Sequence, residues 1–524
     1  MTATDAPATG GRRIRSAGAW CAPITGFRAV GAVLVVVGHA FLASRIFPFT
    51  GVIHVIGLII PVFFVVSAYA LYRPFMLADV TGEPRPAARL FWWRRFLRIY
   101  PLFAVALTLY LIFLPGVRPQ GGSIVEYFEL YAFLQVYDKH LVVFSGIPAA
   151  WFLCDEVAFY LFLPGIAALA HRLGARWRAS TPQRRLHAHV VVALAMIVIG
   201  MVARTWLVLA KVPGATSLPL SNLDYYGFGI LLAAASIAER QGQRLPGVVQ
   251  RLRDHPGLAL FTLLAGSVAM DFVARHPGEV FSPFEDVSRY ALYTIMVVPL
   301  MTVMVLGAQD TPFNARLGSK RFGWAATLSL HIYIWHQLVL AGFDRYVTQV
   351  THLHYAPRFV MGAVFALGAL VLTVVWAALF RPVLDLPYRH WGHQLPHFRP
   401  ATWPRAMQVG VVGVVLLLAS GGVAAAFRYG GSPVTVRGGV GLVTVTHADP
   451  GDRIVVRRGG HRVASGDADP QGTLVVRDLA PGHYRVDQRR AGQVMVTRSA
   501  DVTAPDQEPP TSLYASQHLH PGLN

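Results

Sequence analysis

Along the first 430 residues, runs of mostly apolar positions alternate with short polar, arginine-rich stretches. A helix of about 20 such residues crosses a hydrocarbon core of about 30 Å. The pattern predicts spans over 24–44, 52–74, 97–115, 150–170, 188–210, 222–238, 257–274, 288–308, 322–342, 358–380 and 407–427. The stretch from Ser123, SIVEYFELYAFLQVY, is apolar and aromatic as well. Crossing there would put the arginine-rich HRLGARWRASTPQRR on the wrong side, so 123–137 is expected to be peripheral or re-entrant. From about residue 430 the period shortens to two, in VTVRG, GLVTVTH, RIVVRRG, GTLVVRD, GHYRVDQ and GQVMVTR. Glycine, proline and aspartate separate these runs, which predicts a small antiparallel sandwich. The expected fold class is therefore an all-α polytopic membrane bundle of about ten core helices plus an eleventh linking helix, followed by a small all-β soluble region.

Charge then orients the spans. With the N-terminus cytoplasmic, the inside segments hold about 25 Lys and Arg against about 7 in the outside loops. This reading gives a cytoplasmic tail over 1–23, a membrane domain over 24–385, and a basic segment with the eleventh helix over 386–430. An extracytoplasmic sandwich over 431–503 and a tail over 504–524 follow. Composition agrees with a multi-pass protein of the cytoplasmic membrane, with 54% hydrophobic and only 14% charged residues. The net charge of +19 is spread over alternate loops rather than one patch, which argues against nucleic acid as a partner. The first apolar run contains polar residues and lacks a small-residue cleavage site, unlike a signal peptide. Cys21 and Cys154 form neither a disulfide framework nor a metal-ligand pattern, so no metal is expected.

Several ionisable residues interrupt the apolar runs, and each is costly in a bilayer. In FRAVGAVLVVVGHAF, Arg28 and His39 stand eleven residues apart on one helix face, about 16 Å along the axis. Loop charge puts Arg28 at the cytoplasmic end and His39 in the outer half. Glu156, in AAWFLCDEVAFYLFLP, and His336, in SLHIYIWHQLV, fall at a similar depth to His39. A histidine oriented by a carboxylate is a minimal general base. Depth agreement leaves open which of these side chains touch. Arg94, Arg95 and Arg98, in WWRRFLRIYP, lie at the same face as Arg28, where guanidinium groups suit phosphate. Ordinary positive-inside flanking accounts for them equally well. Cys154 has no neighbouring cation that would activate a thiol. Arg204, Asp224 and Asp271 stand in or at the edges of spans, where they can pair with one another or line a cavity.

Taken in order, these stretches resemble the acyltransferase-3 family of integral membrane acyltransferases. Arg28 and His39 match the family's signature in the first span, and IPVFFVVSAYALYRPF is similar to its F-F-x-x-S-G-F segment through Phe63, Phe64 and Ser67. RRFLRIYP resembles its basic third-span start. WFLCDEVAFYLFLP matches W-S-L-x-x-E-x-x-F-Y-L-x-L-P through Trp151, Leu153, Glu156, Phe159, Tyr160 and Pro164. LSLHIYIWH is similar to a later element through Ser329, Tyr333 and His336. Ala68 and Phe152 depart from the family at packing positions. The APGHY corner near residue 482 resembles immunoglobulin-like and transthyretin-like envelope modules.

The resemblance, over roughly residues 20–385, implies O-acylation of an envelope carbohydrate or glycolipid hydroxyl with cytoplasmic acyl-CoA, commonly acetyl-CoA. It implies that Arg28, Arg94, Arg95 and Arg98 hold the CoA phosphates and that His39 is the general base or a transient acyl carrier. Glu156 would orient His39, and Trp151, Tyr160, Ser67, Tyr333 and His336 would line the acceptor side. The competing expectation is a transporter or flippase of an envelope precursor, whose buried charges line a path without chemistry. No internal repeat of the transporter kind stands out in the sequence.

Overall fold

The structure is a computed structural model that describes residues 22–44, 56–114, 117–119, 123–138, 141, 145–178, 181–212, 214–273, 282–308, 311–350, 358–392, 435–439, 441–446, 453–467, 473–490 and 493–503. The expected eleventh helix over 407–427 lies outside the described residues.

Apolar runs become helices throughout the first part of the chain. In order these are α1 (Ala22–Ser44), α2 (Ile59–Thr81), α3 (Ala88–Phe113), α4 (Ile124–Tyr131), α5 (Trp151–Arg176), α6 (Pro182–Leu209) and α7 (Leu223–Arg240). They are followed by α8 (Gly247–Asp254), α9 (Pro256–Val273), α10 (Pro283–Leu306), α11 (Pro312–Leu317), α12 (Lys320–Val350), α13 (Arg358–Leu384) and α14 (Leu386–Trp391). Eight of them, α1, α2, α3, α5, α6, α9, α10 and α13, contain stretches long and apolar enough to cross a membrane. The protein is a multi-pass membrane protein. Two further expected spans, α7 and α12, carry more charged and polar positions, Asp224, Glu239 and Arg240 in one and His331, His336 and Gln337 in the other.

The 123–137 stretch does not cross. Its helix α4 has eight residues, a length of about 12 Å, and a Ser123–Glu126 capping box starts it. Ile124, Val125 and Phe128 project outward from it, as on a segment lying along an interface.

Two compact units divide the helices, with boundaries at 38/39 in α1, 91/92 in α3, 157/158 in α5 and 333/334 in α12. In the first unit, α7 packs against α2 and α6 through glycines that let backbones approach. A Cβ on Gly229 would lie 2.4 Å from the Val65 carbonyl oxygen, and one on Gly227 would lie 2.7 Å from that of Ala193. Beside this contact, Tyr226 stacks on Phe159 with centroids 4.0 Å apart and meets Phe64 at 5.0 Å. Arg204 pairs with the fully buried Asp224, and its guanidinium lies over the rings of Tyr225 (5.2 Å) and Tyr290 (4.7 Å). Of the edge charges named above, these two therefore pair with each other.

In the second unit, Trp335 is fully buried against Trp376 and Phe380 of α13, with centroids at 6.0 and 5.7 Å. The β region forms two antiparallel sheets. One has the order β1 (Thr435–Gly439), β2 (Leu442–Thr446), β5 (Leu474–Val476). The other has the order β4 (His461–Asp467), β3 (Arg453–Arg458), β6 (Gly482–Arg490), β7 (Gln493–Val502). Alternation sets which side chains point inward: Val443 and Val445, Ile454 and Val456, Tyr484 and Val486, and Ala500 and Val502 form its core. Tyr484 closes the APGHY corner by donating its hydroxyl to the Ala480 carbonyl at 2.7 Å.

Candidate active site

Helix α1 is built from the apolar run that contains Arg28 and His39, with Val35, Val36 and Ala40 on its buried positions. Arg28 and His39 are both partly buried. In the second unit, His39 meets His336 of α12. His336 Nε2 and His39 Nδ1 are 3.3 Å apart, and the ring centroids are 4.8 Å apart at 53°. His336 is fully buried. Two histidines thus share a hydrogen bond in an apolar bundle, where an imidazole can accept and release protons.

The turn of α12 around His336 is held from two other elements. Tyr110 of α3 accepts the Leu338 N–H at 2.8 Å and donates to the Ile334 carbonyl at 2.8 Å. The Gln337 amide oxygen accepts the N–H of Ala149 at 3.0 Å. Ala149 belongs to the short 3-10 turn Pro148–Ala150 that leads directly into α5.

At the start of α5, Trp151 is partly buried, and Cys154, Asp155 and Glu156 are buried. The Cys154 thiol donates to the Ala150 carbonyl at 3.2 Å, an ordinary in-helix contact. Tyr160 is partly buried one turn beyond Glu156. Of the other expected acceptor-side residues, Ser67 is partly buried on α2 and Tyr333 is buried on α12.

Arg94, Arg95 and Arg98 of the third helix are partly buried. Arg94 donates its Nε–H to the Gly392 carbonyl at 2.7 Å, and the Trp93 indole donates to the Trp391 carbonyl at 3.0 Å. The Arg98 guanidinium lies 5.7 Å from the Tyr388 ring centroid. These contacts tie α14 to the start of α3 and satisfy carbonyls at a helix end. Sequence reading left these arginines between phosphate binding and ordinary positive-inside flanking. It missed this second task because a carbonyl at residue 391 or 392 leaves no signature in composition or periodicity.

A second polar cluster, in the first unit, was also missed. The Asp79 carboxylate is bonded by Arg85 Nη2 at 3.1 Å, His171 Nδ1 at 2.5 Å and His189 Nε2 at 3.2 Å. The other ring nitrogen of His189 meets the Tyr72 hydroxyl at 2.9 Å, and Arg185 donates to the Asp79 carbonyl at 3.1 Å. Tyr72 and His189 are buried, whereas His171 is 46% exposed, so the chain of bonds runs from the surface into the bundle. An acidic residue near the end of a span was the one available signal. Among the described residues, His, Cys, Asp and Glu side chains form no group of three or more able to hold a metal ion.

Comparison with known proteins adds a family to this geometry. Searches of curated proteins and of solved structures gave no match. The acyltransferase-3 family model, described as an acyltransferase domain, matches residues 23–381, from the start of α1 into the last turn of α13. That match covers more than half of the chain and contains both histidines, Glu156 and the arginines of α3; the protein belongs to the acyltransferase-3 family of membrane acyltransferases.

Proposed function

We propose that this membrane acyltransferase moves an acyl group, acetyl foremost, from cytoplasmic acyl-CoA to a hydroxyl of an extracytoplasmic envelope carbohydrate or glycolipid. The observation that carries the reading is the hydrogen bond between His39 and His336 inside the family-matched bundle. His39 Nδ1 is engaged with His336, so its Nε2 is the atom that can serve an acceptor hydroxyl. This requires the tautomer in which His39 Nδ1–H donates to His336 Nε2, leaving a lone pair on His39 Nε2. His336 then fills the orienting part that a carboxylate plays in a serine-protease triad.

The chemistry balances without an added reactant. The acceptor oxygen bonds to the thioester carbonyl carbon while His39 Nε2 takes the hydroxyl proton. The C–S bond then breaks, and the imidazolium returns its proton to the thiolate, giving an O-acyl ester and CoA thiol. Positive charge on His39 is shared with His336 through their hydrogen bond. In this reading the Glu156 carboxyl, buried at the start of α5, serves to balance the charge that develops on the imidazole pair.

Arg28 stands about 16 Å of helix rise from His39, a span that an extended pantetheine arm can bridge in large part. In this reading Arg28, Arg95 and Arg98 bind the donor phosphates. Arg94 does so with the N–H groups that its bond to Gly392 leaves over. Trp151, Tyr160, Ser67 and Tyr333 line the acceptor side. The β region, with its two sheets, serves recognition or positioning of the acceptor.

The deciding experiment is acyl transfer from radiolabelled acetyl-CoA to isolated envelope glycans and glycolipids, by the protein in lipid nanodiscs. His39→Ala is expected to lower product formation about 10²–10⁴-fold while elution and thermal stability stay as in the parent. Undiminished transfer by His39→Ala would end this assignment.

A further inference from the structure

We propose that Tyr110 is a positioning residue for the reaction, its hydroxyl holding the one turn of α12 that presents His336 to His39. The inference rests on the histidine-pair reading above and adds a residue that neither the sequence motifs nor the family match singles out.

The geometry is specific. In an α-helix the N–H of residue i donates to the carbonyl of i−4, so Leu338 and Ile334 are the two ends of one rung. Tyr110 bonds both ends, accepting from Leu338 N–H at 2.8 Å and donating to Ile334 O at 2.8 Å. His336 sits midway between them. The turn held in this way is the one that carries His336, the partner of His39 on α1. Gln337 ties the same turn to Ala149, just before α5. Three segments, α1, α3 and the α5 approach, therefore meet the Ile334–Leu338 turn within the second unit.

A purely space-filling role would need no hydroxyl. Tyr110 is fully buried, and a phenylalanine would occupy nearly the same volume without a polar group to satisfy. The hydroxyl instead uses both its donor and its acceptor capacity on the backbone of one partner helix. Away from water such bonds have no ready substitute, so the turn is fixed at their geometry. The His39–His336 separation of 3.3 Å is already near the upper end for a hydrogen bond, and a further shift of about 0.5 Å would break it.

The test uses the full-length protein in nanodiscs with the Tyr110→Phe variant. Its kcat is expected to fall about 30- to 100-fold with KM for acetyl-CoA within two-fold of the parent, as misplacement of a catalytic group by about 1 Å does. Independently of turnover, carbethoxylation of His39 and His336 by diethyl pyrocarbonate, read by mass spectrometry across pH, should change in rate and midpoint. A variant that loses thermal stability but keeps kcat per folded molecule and the parent labelling profile overturns the proposal. Should Tyr110→Phe not fold, a fluorinated tyrosine at position 110 keeps the shape and weakens the phenol as acceptor. It should shift both kcat and labelling, and an unchanged pair of readouts overturns the proposal equally. His39→Ala, run alongside, separates the two ideas. An inactive His39→Ala beside a fully active Tyr110→Phe removes Tyr110 alone. An active His39→Ala removes the histidine-pair reading, and the labelling profile then decides whether Tyr110 positions His336.

Discussion

His39 Nδ1 lies 3.3 Å from His336 Nε2, although 297 positions separate the two residues in the chain. Groups that act as one unit give non-additive losses when removed. His39→Ala and His336→Ala should each lower acyl transfer by about 10²–10⁴-fold, the usual contribution of general-base catalysis. The double variant should be no slower than the slower single one. Multiplying losses, measured as initial rates with labelled acetyl-CoA, would show that the two imidazoles work independently.

How much of this arrangement is legible in the sequence depends on which geometry a residue reports. Apolar length and loop charge predict span order and depth, so His39, Glu156 and His336 could be named together. Bundle order is a matter of helix packing, and a single sequence carries no record of it. For that reason Glu156 was matched to His39, while the hydrogen bond described for His39 goes to His336. Tyr110 had no signal at all, since a tyrosine in LTLYLIF reads as packing until its hydroxyl is seen on a neighbouring backbone. The Asp79 cluster draws on three helices and was hidden for the same reason. In the β region the alternation foretold short antiparallel strands, but not the sheet orders β1-β2-β5 and β4-β3-β6-β7, which pairing across loops decides.

Asp79 is the shared acceptor for Arg85, His171 and His189, and it is 7% exposed. Replacing it with alanine leaves His189, and Tyr72 bonded to it, buried without the anion that His189 meets. The expected cost is about 2–3 kcal/mol, below the 3–5 kcal/mol of a fully buried pair because His171 and Arg85 face solvent. Asp79→Asn keeps an acceptor oxygen and should lose roughly half as much. Thermal unfolding in a mild detergent measures both; equal stability of parent and Asp79→Ala would show that the cluster contributes nothing.

Gly229 marks the closest approach of α7 to α2. An added Cβ would lie 2.4 Å from the Val65 carbonyl oxygen and 2.6 Å from the Ala68 Cβ, and both of those belong to a rigid helix. Gly229→Ala should therefore destabilise the protein by about 1–3 kcal/mol through overpacking, despite the better helix propensity of alanine. Gly165, in α5, has nothing within 4 Å of the corresponding position, so Gly165→Ala is the matched control and should be neutral or stabilising. A melting temperature unchanged in Gly229→Ala would contradict the tight α2–α7 contact.

Arg94 and Trp93 both hold the α14 end, yet only Arg94 carries a charge. Arg94 Nε bonds the Gly392 carbonyl at 2.7 Å and the Trp93 indole bonds that of Trp391 at 3.0 Å. If the arginine also binds donor phosphate, the two replacements must separate. Trp93→Phe removes one anchor and no charge, so KM for acetyl-CoA should stay within about two-fold of the parent. Arg94→Ala removes anchor and charge together and should raise KM about ten-fold or more, the worth of a charge-assisted bond to phosphate. Added salt should weaken acetyl-CoA binding by the parent more than by Arg94→Ala, because screening acts on the charge and hardly on the anchor. Steady-state kinetics at two ionic strengths decides the matter. Equal KM increases in the two variants, with the same salt dependence, would assign Arg94 to anchoring α14 and leave donor binding to Arg28, Arg95 and Arg98.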